Sequence, residues 1–454
     1  MPLTSLLMLG SAFLMVALFG LLIPLLVVGS QRSPVFGVGV VGALHLVDTW
    51  FVGALALPLG LAVTPFDFAF VVLALATMAR ARQLPLDDRI VRLWLGACVV
   101  WFALFAIGAV LHKTKAGVEY RPFFYLSVGV TYMLSFRIDP AAARRVLGNI
   151  ALFACGTLLI AMYRWGMDAL SPGLHYWQES PGQFNWRVIN AQQTFILVAL
   201  LLTGLSATMN RSRDITGAWW LLTPAFFLAV VALQHRTNWV VLVAAAMVLL
   251  AVQRSRAGSR KALTVALLLG MLAVVAAGSM LGGFGESIQN SVAEPFKQKS
   301  TINWRFDSWR EVIRSWATGG PAVWPFGFPF GNGWRRFIES SGQTGLFWEV
   351  SPHSFYVTTL ARGGIVALGL VVTSLCLAAS RHLRRQGGGI QPWPDAALMV
   401  TLLAAQSIFF ITYSIIPVAT LFLGLTLGTA VRPQRSEAPA VRRQPGWRLD
   451  AEAA

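Results

Sequence analysis

Few residues in this chain could do chemistry, and they stand out because their surroundings are apolar. His353 lies in VSPHSFYVTTLARGGIVAL. Pro352 presets φ for a helix start and Ser351 is the expected N-cap, so the spacing predicts His353 in the first turn of a helix. A helix N-terminus disfavours an imidazolium, which keeps the ring neutral and able to take a proton. The implied chemistry is general-base activation of a hydroxyl; a structural histidine is the competing reading.

Two arginines point to an anion. Arg236 sits in LQHRTNWVVLV, where two apolar stretches are joined by almost no loop, so Gln234, His235, Arg236 and Asn238 crowd against the end of a bundle. Arg305 belongs to TINWRFDSWREVIRSW, whose Phe306, Trp309, Val312, Ile313 and Trp316 recur at helical spacing. At about 100° per residue, Trp309, Val312 and Trp316 fall within roughly 40° of Arg305, in the middle of the apolar stripe. No acidic residue shares that face, and a buried cation without a partner is costly. An anionic ligand would offset the cost, and the free N–H groups of the first turn favour one there. Snorkelling to water or stacking on a tryptophan is the alternative. Arg310, Arg314, Asp307 and Glu311 take the opposite face, where pairing three and four residues apart accounts for them.

His45 and Asp48 are three residues apart in an apolar window, the pattern of a proton relay or of a structural pair. The sequence contains no GxxxxGK[ST] loop, and no Asp-x-Asp pair or His-rich spacing offers a metal cage. The expected mechanism uses no metal and no cofactor.

The elements that must position these residues are membrane helices. The 454 residues are 56% hydrophobic and 12% charged, against about 25% charged in an average soluble domain. Apolar stretches long enough for a bilayer recur from end to end. The expectation is an all-α polytopic bundle of about 12 transmembrane helices, with 11 to 14 allowed. Residues 1–431 form a single membrane domain that includes a partly helical outer insert, 282–352. Residues 432–454 form a disordered tail. The net charge of +17 is spread over small Arg and Lys clusters between apolar segments, which is a topology signal and argues against a nucleic-acid partner. Cys98, Cys155 and Cys376 all lie in apolar runs and suggest no disulfide framework.

By the positive-inside bias, the clusters at Arg80–Arg92, Arg137–Arg145, Arg211–Arg213, Arg254–Lys261, Arg381–Arg385 and the tail mark the cytoplasm. The segment Leu111–Arg121, the 165–187 loop, the His235–Arg236 turn and the insert then face outward. Arg121 and Arg236 stand against the charge bias. After the insert helix, GGPAVWPFGFPFGNGWRRF predicts irregular turns with ring faces exposed, suited to sugars or to the membrane interface.

QHRTNW at a short outer turn, RFDSWREVIRSW followed by a Gly/Pro/aromatic stretch, and PHSFYVTTLARGG opening the next span stand in an order that resembles the bacterial O-antigen ligase and polysaccharide polymerase superfamily. The resemblance covers roughly residues 185–430. It implies an inverting glycosyltransferase of the inner membrane that moves a glycan from undecaprenyl diphosphate to an acceptor hydroxyl at the periplasmic face. The acceptor would be another glycan, lipid A-core or a protein. By position, the family's histidine falls on His353 as the base, and its two arginines fall on Arg236 and Arg305 as diphosphate ligands. Gln234, His235, Gln192 and Arg121 are possible further substrate contacts. The chain departs from the family in having His353–Ser354 where many members have His-Asn, and Asn190, Gln192 and Gln193 where others carry asparagines. Arg362 in LARGG is closer to chain-extending polymerases. The rival class is a transporter or flippase for a polysaccharide or a lipid-linked oligosaccharide, coupled to protons through His45 and Asp48.

Overall fold

The computed structural model describes residues 22–51, 57–58, 62–170, 186–209, 216–253, 301–334, 336–337, 347–348, 351–386 and 393–431. The first part of the expected span 6–28, the span 261–281, residues 282–300 of the insert and the tail 432–454 lie outside the described residues.

The helices are α1 (Leu22–Arg32), α2 (Pro34–Phe51), α3 (Pro65–Ala79), α4 (Arg89–His112), α5 (Thr114–Leu134), α6 (Pro140–Leu170) and α7 (Ala191–Met209). They continue with α8 (Thr216–Ala232), α9 (Arg236–Val252), α10 (Thr301–Thr318), α11 (Val323–Phe326), α12 (Phe355–Arg385), α13 (Ala396–Thr412) and α14 (Pro417–Ala430). Two antiparallel pairs of two-residue strands accompany them: β1 (Leu57–Pro58) with β2 (Ala62–Val63), and β3 (Arg336–Phe337) with β4 (Phe347–Trp348).

The expected count of about 12 transmembrane helices is overturned. Among the described residues, five helices are long and apolar enough to cross a membrane: α2, α4, α6, α7 and α12. The chain is a multi-pass membrane protein, but α3, α9, α13 and α14 have 15, 17, 17 and 14 residues. At 1.5 Å per residue such helices reach about 21–26 Å, short of a hydrocarbon layer about 30 Å thick. Apolar windows overcount because they measure hydropathy and not helix length. The windows 395–413 and 415–431 hold α13 and α14, which are helices of 17 and 14 residues. The 35–61 window likewise ends as helix at Phe51.

Local chemistry fixes where helices begin. Thr64 and Asp67 form a reciprocal capping box at α3, Asp88 caps α4 through Ile90 N (2.8 Å), and Asp395 caps α13 through Leu398 N (3.0 Å). Lys113, at φ 52°, is the single residue that turns α4 into α5, so the expected outer loop Leu111–Arg121 is mostly helix. The bundle is centred on α7, which is mostly apolar and buried on nearly all sides.

Charged anchors gather at one end of the bundle. Arg381 pairs with Asp88 (2.6 Å), Arg144 donates to Trp393 O (3.0 Å), Arg80 to Ser135 O (2.9 Å), and Arg385 to Thr429 O. The α4–α5 turn, the α8–α9 turn and the start of α12 lie at the other.

One break in α12 sets the geometry of that other end. With its amide turned to satisfy both, Gln386 donates to Val252 O (2.9 Å) and accepts from Ala397 N (2.8 Å), so the end of α12 meets the end of α9 and the start of α13. At the far end, Phe355 N donates to Tyr413 O (3.1 Å). The same two ends are thus joined by α13, about 26 Å long, and by α12, which would be about 46 Å if straight. Arg362 (φ −108°, ψ 16°) and Gly364 (φ 60°, ψ −165°) break α12 and take up the difference. The insert fills the break: Phe328 N donates to Ala361 O (2.7 Å), and a Cβ on Gly364 would collide with the carbonyl of Pro325. Gly364 therefore needs both its positive φ and its missing side chain.

Gly364→Ala should destabilise the protein by about 1–3 kcal/mol, the usual range for imposed backbone strain, read as a lower melting temperature in detergent. Gly369→Ala, in the same helix with no atom within 4 Å of the added Cβ, is the control and should be neutral or stabilising. Equal melting temperatures for the two variants would contradict this account of the break.

Candidate functional site

His353 differs from its expected placement. Ser354 is the N-cap of α12, accepting from Val357 N at 3.5 Å, so the histidine lies just before the helix, with φ 51°. A positive φ at a non-glycine residue is uncommon and turns the imidazole away from the helix line. The ring is half-buried and faces Trp304 of α10, with centroids 5.5 Å apart.

The amphipathic helix of the insert is where the spacing put it, and it docks beside this histidine. Trp309 Nε1 donates to Pro352 O (2.7 Å), tying α10 to the residue before His353. Val312, buried, packs with Trp334 and Ala361. The stripe is narrower than the sequence implied, because Phe306 and Ile313 are exposed. Arg310 and Arg314 are exposed on the far face, as expected.

Arg305, one turn before Trp309, is half-buried, and its guanidinium lies 5.0 Å from the centroid of the Tyr413 ring. Its Nε has no hydrogen-bond partner among the described residues. Since Tyr413 O also receives Phe355 N, Arg305, Tyr413, Trp304 and His353 form one neighbourhood. The cation stacks on a tyrosine rather than a tryptophan, and that contact leaves its N–H groups in plane and able to donate.

Arg236 opens α9, following His235 and a Gln234 held at φ 54°. Helix α9 packs along α13, and Gln386 fixes their antiparallel sense by meeting Val252 and Ala397. Arg236 therefore stands at the Tyr413 end of the pair. The turn is anchored to the segment before α7: His235 Nε2 is 2.8 Å from Ile189 O, and Asn238 Nδ2 donates to Ala191 O (2.9 Å). Burial pushes the His235 pKa down to about 4, the bond to Ile189 O opposing and nearby Arg187 reinforcing the shift.

The remaining candidates have structural surroundings. Asn190 and Gln193 cap α7 reciprocally, Gln193 N donating to Asn190 Oδ1 (2.8 Å) and Asn190 N to Gln193 Oε1 (3.0 Å). Gln192 between them is half-buried. Gln234 is buried in the turn. Arg121 pairs with Asp67 at 3.1 Å, and Tyr125 donates to the same carboxylate (2.7 Å). His45 is buried in α2 and lines a small apolar cavity with Val38, Gly42, Phe153 and Leu421. Its Nε2 has no hydrogen-bond partner among the described residues, and Asp48 is half-buried one turn on. Among the described residues no group of three or more His, Cys, Asp and Glu is disposed to hold a metal ion.

Sequence reading missed Arg164 and Asp168, both buried in α6, and the largely covered Glu119. Arg164 in α6 donates to Val188 O (2.7 Å) and to Thr49 O. Glu119 in α5 meets Arg362 of α12 at 2.7 Å. The only local signal was a lone carboxylate in an otherwise basic outer segment.

Because His235 is neutral when folded and its pKa is depressed, its contribution to stability is full above about pH 6.5 and declines as the pH falls toward about 4. His235→Gln should flatten the melting-temperature profile over that window. An unchanged slope would show that His235 is not the titrating group.

Residues 218–372, about a third of the chain, match the O-antigen ligase family, while no curated protein matches the chain. The matched stretch runs from α8 into α12 and contains Arg236, Arg305 and His353. This part of the chain is similar to O-antigen ligases, and the match supports an enzyme of the O-antigen ligase and polysaccharide polymerase type.

Proposed function

We propose that the protein transfers a glycan from an undecaprenyl-diphosphate carrier to an acceptor hydroxyl at the periplasmic face of the bacterial inner membrane, with inversion. The observation that carries this reading is the contact of α10 with the start of α12. The Trp309–Pro352 bond and the Trp304–His353 ring contact bring a cation on the insert beside an imidazole at the bundle end. The arginine clusters at the opposite end support the periplasmic assignment.

In this mechanism the His353 ring takes the proton from the acceptor hydroxyl as its oxygen attacks the anomeric carbon. The bond between that carbon and the diphosphate oxygen breaks on the opposite side. The electron pair leaves with the diphosphate, whose growing charge is offset by Arg305 and Arg236. The carrier stays in the bilayer throughout, which suits a site at a membrane face rather than within a detached domain. The single membrane domain with an outer insert remains the reading of the chain's organisation, and the tail 432–454 serves orientation or lipid contact.

Purified protein in detergent, with no sealed compartment, should transfer glycan from the lipid-linked donor. His353→Ala should lower turnover by at least about 100-fold, the lower end of the range for a general base. Arg305→Ala and Arg236→Ala should each cost about 10²–10³-fold, as for loss of a charge-stabilising donor. Arg310→Ala, on the exposed face, should be silent. Normal product from His353→Ala in a membrane-inserted protein would defeat the proposal.

A further inference from the structure

The charge pair left over once the site is assigned joins α5 to the break in α12 through the insert. Glu119 Oε2 lies 2.7 Å from Arg362 Nη2 and accepts from Gly331 N (2.8 Å), while Oε1 accepts from Gly333 N (2.7 Å). Arg362 donates onward to Pro329 O (2.7 Å) and Gly333 O (2.8 Å), and its guanidinium lies 4.4 Å from the centre of the Trp334 ring. The arginine side chain is 2% exposed and the glutamate 13%. A bilayer-embedded helix has no need of such a pair, and breaking one by removing a partner is strongly unfavourable.

What the pair holds is the irregular run Pro329–Trp334. Gly331 is at φ 90°, and a Cβ there would press on His112 and Ala116, so the run lies directly on the α4–α5 turn. From Trp334 the contacts pass to Val312 of α10 through the small apolar cluster with Ala361. Val312 lies one turn beyond Trp309, and Trp309 bonds the residue before His353. The chain Glu119, Arg362, Trp334, Val312 thus sets the position of α10 along α12.

We propose that Glu119 and Arg362 are positioning residues: their buried ion pair clamps the insert to the broken helix and so holds Arg305 in register with His353. The proposal rests on the transfer reaction proposed above. Neither residue touches substrate; the effect reaches the site through Trp334 and α10. Released from the clamp, α10 retains its own helix but loses its fixed height over His353. Donor binding through Arg305 and turnover at His353 then fail together.

The test uses the full-length protein in lipid nanodiscs, with Glu119→Gln, Arg362→Met and the double variant. Initial rates give kcat and the KM for lipid-linked donor, and hydrogen exchange is followed across Thr301–Thr318. Each single variant should lower kcat/KM by about 100-fold, the usual effect of displacing a catalytic geometry by about an ångström, with donor KM raised and exchange faster. The double variant leaves no buried charge unpaired. It should recover the wild-type melting temperature while transfer stays low and exchange stays fast. Recovery of both stability and transfer in the double variant would reduce the pair to a stabilising contact and overturn the proposal. If the single variants do not fold, the double variant alone decides. If the wild type transfers no glycan, the functional reading fails, and exchange then decides the clamp: faster in the variants upholds it, unchanged refutes it.

Discussion

Phe355 N reaches Tyr413 O, and this closure is possible only because the last long spanning helix is broken at Arg362 and Gly364. A straight helix of that length would carry His353 about 20 Å beyond the end of its neighbour, far from Tyr413 and from the α8–α9 turn. The break turns the first part of α12 back to the bundle end. It also opens a notch in the backbone that the aromatic run of the insert occupies. Irregular backbone near a membrane survives where its polar groups find partners inside the protein. Here Phe328 N, Gly331 N and Gly333 N do so on Ala361 O and Glu119.

From that break the site assembles by short steps. The insert helix sits on the returned part of α12 through Val312 and Trp309, which leaves Arg305 on the face toward Tyr413. Arg236 comes to the same end by a separate route, fixed by the antiparallel pairing of α9 with α13 and by the bonds of its turn to Ile189 and Ala191. Two cations from distant parts of the chain thus come to the same end of the bundle as the imidazole, on supports that do not share a helix. A diphosphate on a membrane-bound carrier is the ligand proposed for that arrangement.

Periodicity made the insert helix legible: the wheel placed Val312 inward and Arg310 and Arg314 outward, as found. It could not exclude Phe306 and Ile313 from the buried stripe, because a membrane-side helix tolerates exposed apolar residues that a soluble one would bury. Hydropathy exposed the membrane character and miscounted the spans, since it measures apolarity and not helix length: the apolar windows over α13 and α14 hold helices of 17 and 14 residues. The place of His353 was misread by three residues because Ser351 and Ser354 are both acceptable caps. Glu119 and Arg362 were illegible for a different reason: their partnership spans over 200 residues and depends on a backbone break that only tertiary contacts create. Asn190 and Gln193, by contrast, formed a local capping pattern that the sequence did contain.

The central claim is that a lipid-linked glycan binds between the insert and the start of α12 rather than along the His45 cavity. Photo-crosslinking in native membranes measures this directly, with a benzophenone amino acid at position 304 or at position 45 and a radiolabelled lipid-linked donor. The account predicts label at position 304, lost when Arg305→Ala is added, and none at position 45. Label at position 45 with none at 304 would contradict it and favour a path through the bundle.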